Sequence, residues 1–186
     1  VSAGVFVSTR KPVSPTERMQ PLRWGFVGTG NIAGWMAAVV RSTPRAMLSA
    51  VASRRMDSAR SFAAEHRAAR AFDSWQEMLA WDGIDAVYVA TPPRYHLEHC
   101  LAALAAGKHV LCEKPLALNA IEAREMAAAA QDADRLLMEG FMYRFHPRSR
   151  RLHRMAHVVG GPHVDHHRLV RAQRAVQLLA RQVLRP

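Results

Sequence analysis

Short runs of consecutive apolar residues alternate along this chain with segments whose apolar positions recur every three to four residues. The first kind predicts strands buried on both faces, the second helices. Residues 23–27 form an apolar run that ends at Gly28, and residues 31–40 follow as a helix closed by Ser42-Thr43-Pro44. Residues 46–52 return as a strand, and a helix over 57–66 starts with Asp57 or Ser58 as its expected N-cap. A short extended piece at Ala71-Phe72 leads to a helix over 73–81, where Ser74 and Glu77 have the spacing of a capping box. Asp82-Gly83 turns the chain into the strand 86–90. Residues 95–106 form a helix stopped by Gly107, and 109–112 form a strand. Asn119 caps an alanine-rich helix to about residue 130, and 136–139 is the last strand. Repeated β-α-β units require right-handed crossovers and a parallel sheet with helices on both faces, so the expected fold is a doubly wound α/β domain.

Charge divides the chain differently. The net charge is +11 over 186 residues, a value that on its own suggests nucleic-acid binding. Residues 19–147, however, carry 14 Lys+Arg against 13 Asp+Glu, and residues 148–186 carry nine arginines against Asp165 alone. The folded body is nearly neutral, and no recognition motif or interleaved aromatics accompany the basic tail. No specific nucleic-acid partner is expected. No apolar stretch reaches the ~18 residues that span a bilayer, so no membrane partner is expected either. The only two cysteines, Cys100 and Cys112, read as buried free thiols, which fits a reducing cytoplasm.

The candidate chemistry begins at the end of the first strand. Gly28-Thr29-Gly30-Asn31-Ile32-Ala33 matches G-x-G-x-x-G/A in the strand–turn–helix context that this fingerprint needs. The first glycine permits the turn, and the second lets a pyrophosphate approach the backbone. Free N–H groups near Asn31 and Ile32, at the positive end of the helix dipole, would bind the phosphates. A purely structural turn is the alternative. Cofactor choice rests on the end of the second strand, where a carboxylate would select NAD. This chain has Ser53-Arg54-Arg55 instead, a hydroxyl and two guanidiniums suited to the 2′-phosphate of NADP, with NAD the other possibility. Arg54 and Arg55 could also merely begin a solvated helix.

Three further strand ends carry polar residues: Thr91-Pro92-Pro93-Arg94-Tyr95-His96, Cys112-Glu113-Lys114-Pro115, and Glu139-Gly140-Phe141-Met142-Tyr143-Arg144-Phe145-His146-Pro147. With the glycine turn, these runs resemble the Gfo/Idh/MocA oxidoreductases over about residues 22–147. The third run is most like the branch of dihydrodiol and sugar dehydrogenases. The resemblance implies a Rossmann-type domain over 19–142. It also implies an NAD(P)-dependent hydride transfer, NADP-dependent by the Ser53-Arg54-Arg55 reading, to or from a carbinol or carbonyl carbon of a sugar, cyclic polyol or dihydrodiol. By the same resemblance Lys114 is the catalytic residue beside the nicotinamide and the substrate hydroxyl. Glu113 positions the cofactor ribose, while Thr91, Pro92 and His96 line the nicotinamide side. Tyr143, Arg144 and His146 would face the substrate. Read from the residues alone, Lys114 could be an ordinary exposed lysine. His96 and His99, three apart on one helix, could be surface residues.

The resemblance also implies a second α/β domain, which covers the nicotinamide and commonly mediates homo-oligomer formation. Here the expectation is an N-terminal extension over 1–18 and a basic remnant of that domain over 143–186, truncated or frame-shifted after about residue 157. A catalytically inactive dinucleotide-binding module is therefore the alternative function. His163-Val164-Asp165-His166-His167 has metal-binding residue types but lacks a second spaced ligand group, so no metal is expected.

Overall fold

The computed structural model describes residues 20–149, 151 and 152. The proposed extension over 1–18, the histidine cluster at 163–167 and the tail beyond 152 lie outside the described residues.

Six strands form one parallel sheet: β1 (Leu22–Val27), β2 (Ala46–Ala52), β3 (Arg70–Phe72), β4 (Ala86–Val89), β5 (His109–Cys112) and β6 (Leu137–Glu139). Their order is β3-β2-β1-β4-β5-β6, so the direction of winding reverses between β1 and β4. The crossovers are α1 (Asn31–Ser42), α2 (Met56–His66), α3 (Trp75–Ala80), α4 (His96–Ala105) and α5 (Ala120–Asp132). This is the Rossmann arrangement, in which ligands bind where the strand order reverses.

Why the strands are apolar throughout follows from the two cores. Trp24, Phe26, Ala86 and Tyr88 point to one face of the sheet and pack with Ala33, Ala37 and Val40 of α1 and Phe62 of α2. Val27, Val87, Val89 and Cys112 point to the other and pack with Met78 of α3, Cys100 and Leu104 of α4 and Met126 of α5. All four residues of β4, the central strand, are buried. Phe26 is fully buried, which contributes roughly 1.5–3 kcal/mol, and its ring meets Tyr88 edge-on at 5.0 Å. In α1 the small residues Ala33 and Ala37 are buried against the sheet, as expected of the third position of the glycine fingerprint.

Most predicted elements are in place, with three differences. The helix predicted to start at Asp57 starts at Met56 and is preceded by Arg55, with no side-chain cap bond. Asp57 therefore lies inside the first turn, where its carboxylate faces the helix dipole instead of capping an N–H. The helix predicted from Tyr95 opens as a 3-10 turn, Pro93–Tyr95, because the two prolines hold the entry in that geometry, and the α-helix proper begins at His96. The surface reading of His96 and His99 is overturned: they are 0% and 7% exposed. Ser74 does cap α3 by accepting from the Glu77 N–H at 3.2 Å, and Asn119 caps α5 through the Ile121 and Glu122 N–H groups. Cys100 and Cys112 are free and buried, as expected.

Candidate functional site

At the carboxyl edge of the sheet, β1 ends in a turn that only glycine can make. Gly28 has φ +111°, and a Cβ there would stand 2.8 Å from the Ala90 carbonyl oxygen. The ends of β1 and β4 thus approach each other to backbone contact at the reversal point. Gly30 then caps α1 without any side-chain bond, and no atom lies within 4 Å of where its Cβ would be. The first turn of α1 contains no acidic residue. Its positive end faces open space with its N–H groups available, which fits a pyrophosphate and would be filled by any larger side chain.

Beside this turn, β2 ends in a cleft of about 510 Å³ lined by Thr29, Ser53, Arg54, Arg55 and Ser58. The Thr29 hydroxyl donates to Ser53 Oγ at 3.4 Å, joining the glycine turn to the end of β2. Both arginines are exposed. The structure thus brings together the predicted Thr29, Ser53, Arg54 and Arg55, and adds Ser58. The sequence signal for Ser58 was a hydroxyl in the first turn of α2, which was read only as a cap.

On the other side of the reversal point the polar groups are mostly inside. Thr91 follows β4, and its Oγ1 lies 3.0 Å from His99 Nδ1. Burial pushes His99 down from the usual histidine value against the opposing charge of Glu98, and its neighbour His96 adds to the lowering. His99 also meets the Trp75 ring edge-on and stacks on Tyr95. The two ring nitrogens of His96 lie 2.9 Å from the Pro115 carbonyl oxygen and 2.8 Å from that of Thr91. Pro92 is exposed at the start of the same loop.

The Glu113-Lys114-Pro115 turn leaves β5 next to this loop. Glu113 Oε1 accepts from the Tyr88 hydroxyl, and Oε2 accepts from the Lys114 N–H at 3.2 Å. Burial, reinforced by the bond to Glu113 and its charge, pushes the Tyr88 phenol well above the usual tyrosine range, so it stays a donor. From β6, Glu139 Oε1 accepts from the Leu116 N–H at 2.9 Å. The Lys114–Pro115 peptide is cis, and Lys114 itself is exposed. Tyr88 and Glu139 were missed as site residues because each lies within an apolar strand and reads as part of it.

Tyr143 and Arg144 lie on a 3-10 turn, Met142–Phe145, just past β6, and the exposed His146 follows it. Tyr143 is 62% exposed and packs edge-on against Phe141. His146 Nδ1 accepts from the Arg148 N–H at 3.2 Å. These three side chains stand at the β6 end of the same sheet edge. Among the described residues no cluster of three His, Cys, Asp or Glu could hold a metal, and no helix is long and apolar enough to cross a membrane.

An open-faced glycine turn at the reversal point of a parallel sheet, beside a cleft of hydroxyls and guanidiniums, defines a dinucleotide-binding domain. The oxidoreductase family Gfo/Idh/MocA, NAD-binding Rossmann fold, matches residues 22–141, and the chain belongs to it. It is 39% identical over 133 residues to the human trans-1,2-dihydrobenzene-1,2-diol dehydrogenase, covering 70% of this chain and 40% of that protein. It is 40% identical over 139 residues to the NADP(+) scyllo-inositol 2-dehydrogenase of Bacillus subtilis, covering 75% and 42%. A crystal structure of a 3-ketoreductase from Actinomadura kijaniata, in complex with TDP-benzene and NADP, superposes with a TM-score of 0.70 at 36% identity. That match covers 73% of this chain and 43% of the other. The chain therefore spans about two fifths of the length of these relatives.

Proposed function

We propose that this chain binds NADP along the carboxyl edge of its sheet and belongs to an enzyme that moves hydride between the nicotinamide and a carbinol or carbonyl carbon. The observation that carries the cofactor assignment is the cleft at the end of β2, which offers Ser53, Arg54, Arg55 and Ser58. A ribose 2′-phosphate needs charged planar donors there, whereas a 2′-hydroxyl needs a carboxylate. The NADP named with two of the relatives supports the same reading.

Gly28, Thr29, Gly30, Asn31 and Ile32 would hold the pyrophosphate through backbone N–H groups. Thr91, Pro92, His96 and Glu113 would shape the nicotinamide end. When bound, the nicotinamide supplies or takes up a hydride at C4. Lys114, exposed at the tip of the β5 turn, gives a proton to the substrate oxygen in reduction and removes it in oxidation. Glu113 fixes the turn that carries Lys114, through its own Oε2 and the Tyr88 hydroxyl. Tyr143, Arg144 and His146 present one aromatic and two polar groups suited to a small polyhydroxylated substrate. Sugars, inositols and dihydrodiols are the substrate classes that the named relatives support.

Titration with NADPH and NADH, followed by nicotinamide fluorescence, tests the cofactor reading. Arg54→Ala should weaken NADPH about tenfold, the loss of one charge-assisted bond of roughly 1.5 kcal/mol, and leave NADH unchanged. Equal affinity for both cofactors, unaffected by Arg54→Ala, would overturn it. Lys114→Ala should leave NADPH affinity within about twofold and abolish turnover of polyols or dihydrodiols. Binding without turnover in the unaltered chain would support a dinucleotide-binding module instead of an enzyme.

A further inference from the structure

His96 is fully enclosed, and each of its ring nitrogens lies at hydrogen-bond distance from a backbone carbonyl oxygen. One faces the carbonyl oxygen of Thr91 at the end of β4, the other that of Pro115 in the turn after β5. Carbonyl oxygens only accept, and a neutral imidazole has a single N–H. A neutral ring would therefore leave one nitrogen lone pair against an oxygen lone pair at hydrogen-bond distance. An imidazolium satisfies both contacts, and charge-assisted bonds of this kind are about twice as strong as neutral ones. We propose that His96 is a positioning residue: as a buried imidazolium it pins the Lys114–Pro115 turn to the end of β4 and so sets where Lys114 stands. Its consequence for proton transfer rests on the reading of Lys114 given above, whereas the protonated clamp does not.

The surroundings agree with this charge. The ring interacts with Cys112 from β5 and with His99 on its own helix, and Cys100 stands against Cys112 in turn. Burial pulls His96 down, whereas the Cys112 sulfur and the two backbone acceptors act in the opposite direction, for a net rise above the usual histidine value. The bond to Cys100 and burial raise the Cys112 thiol far above its usual value, so it is neutral where His96 is charged. The two carbonyls are then what hold the proton. The first and last residues of the turn are held by other bonds, among them Tyr88 to Glu113, the Glu113 N–H to the Val89 carbonyl oxygen, and Glu139 to the Leu116 N–H. Among the described residues, His96 is the one whose side chain reaches the carbonyl at its middle. This also separates His96 from His99, which is buried too but has its titration shifted in the opposite direction.

The sign of the pH effect follows. A folded value raised above the unfolded one, about 6.5, means the contribution is complete below that pH and fades as pH rises through the folded value. Nitrogen-15 NMR of the cofactor-free chain reads it directly, with the His96 signals identified by their loss in His96→Phe. Both ring nitrogens should be protonated at neutral pH and titrate together only above the ordinary histidine range, and the backbone amides of residues 113–116 should shift with them. His96→Phe should abolish that alkaline transition in 113–116 while leaving the amides of residues 28–31 in place. A bare ring nitrogen at neutral pH, or amides of 113–116 that ignore the titration, would overturn the proposal. If His96→Phe does not fold, the unaltered chain's titration still decides. Failure of NADPH to bind would instead strike the cofactor reading and leave the clamp standing.

Discussion

The two halves of the binding edge are built on opposite principles. From β1 to β2 the site consists largely of what is missing: no Cβ at Gly28, nothing in front of Gly30, no acid in the first turn of α1, and arginines left exposed. From β4 to β6 it is filled from within, because His96, His99 and Tyr88 are buried and spend their polar atoms on neighbouring loops. A phosphate needs converging N–H groups and room, which backbone alone can supply. A proton carrier needs a fixed position, which requires side chains that brace its turn. The first half should therefore fail by steric filling, and the second by loss of internal bonds.

Gly28→Ala should give the largest effect, because it damages both halves at once. Its methyl would press on the Ala90 carbonyl, and φ +111° is a region that non-glycine residues rarely occupy. Strain of this kind costs about 1–3 kcal/mol before the clash is counted, and relief requires β1 and β4 to separate. A urea midpoint shifted by at least that much, together with loss of NADPH binding, is the expected outcome. An unchanged midpoint would show that the two strand ends do not meet in this way.

Tyr88→Phe should come next and touch only the braced half. The ring keeps its edge contact with Phe26, so packing survives, but Glu113 loses its buried donor. An acceptor left without its partner costs about 1–3 kcal/mol, read as a lower melting temperature. The pH dependence gives a sharper signature. Burial and then Glu113 raise the Tyr88 phenol, so its contribution is intact below about pH 10 and is lost as pH rises beyond that. The unaltered protein should lose stability more steeply above pH 10 than Tyr88→Phe does. Parallel alkaline curves would show that Tyr88 and Glu113 are not coupled.

This contrast also explains what could be read from the amino-acid order. Apolar runs bounded by turns placed five of the six strands, since a doubly covered parallel sheet leaves its strands little choice of composition, while the edge strand β3 was legible only as a short extended piece. The open half was legible too, because glycine spacing and the Ser53-Arg54-Arg55 run are local patterns. The braced half was not, because its bonds join residues far apart in the chain: Tyr88 to Glu113, His96 to Pro115 and Glu139 to Leu116. From the residues alone His96 could have been a surface histidine, because three-residue spacing on α4 does not reveal which face the sheet covers. Helix entries were also less certain than helix bodies. Asp57 has the right residue type for a cap, but the backbone of Arg55 already begins the turn.

Gly30→Ala should have the smallest effect on the fold and isolates the open half. Gly30 has φ −76°, which alanine adopts freely, and its Cβ would enter space with no atom within 4 Å. Nothing in the folded chain resists the methyl, and replacing glycine removes freedom from the unfolded chain, so stability should stay equal or rise by up to about 1 kcal/mol. The same methyl occupies the approach to the α1 N–H groups, where a pyrophosphate oxygen must come within about 3 Å. NADPH and NADH should both weaken at least tenfold, because the pyrophosphate is common to them, unlike the NADPH-only loss expected for Arg54→Ala. A stable Gly30→Ala variant that binds both cofactors normally would move the phosphate site away from the glycine turn. The emptiness in front of α1 would then need another explanation.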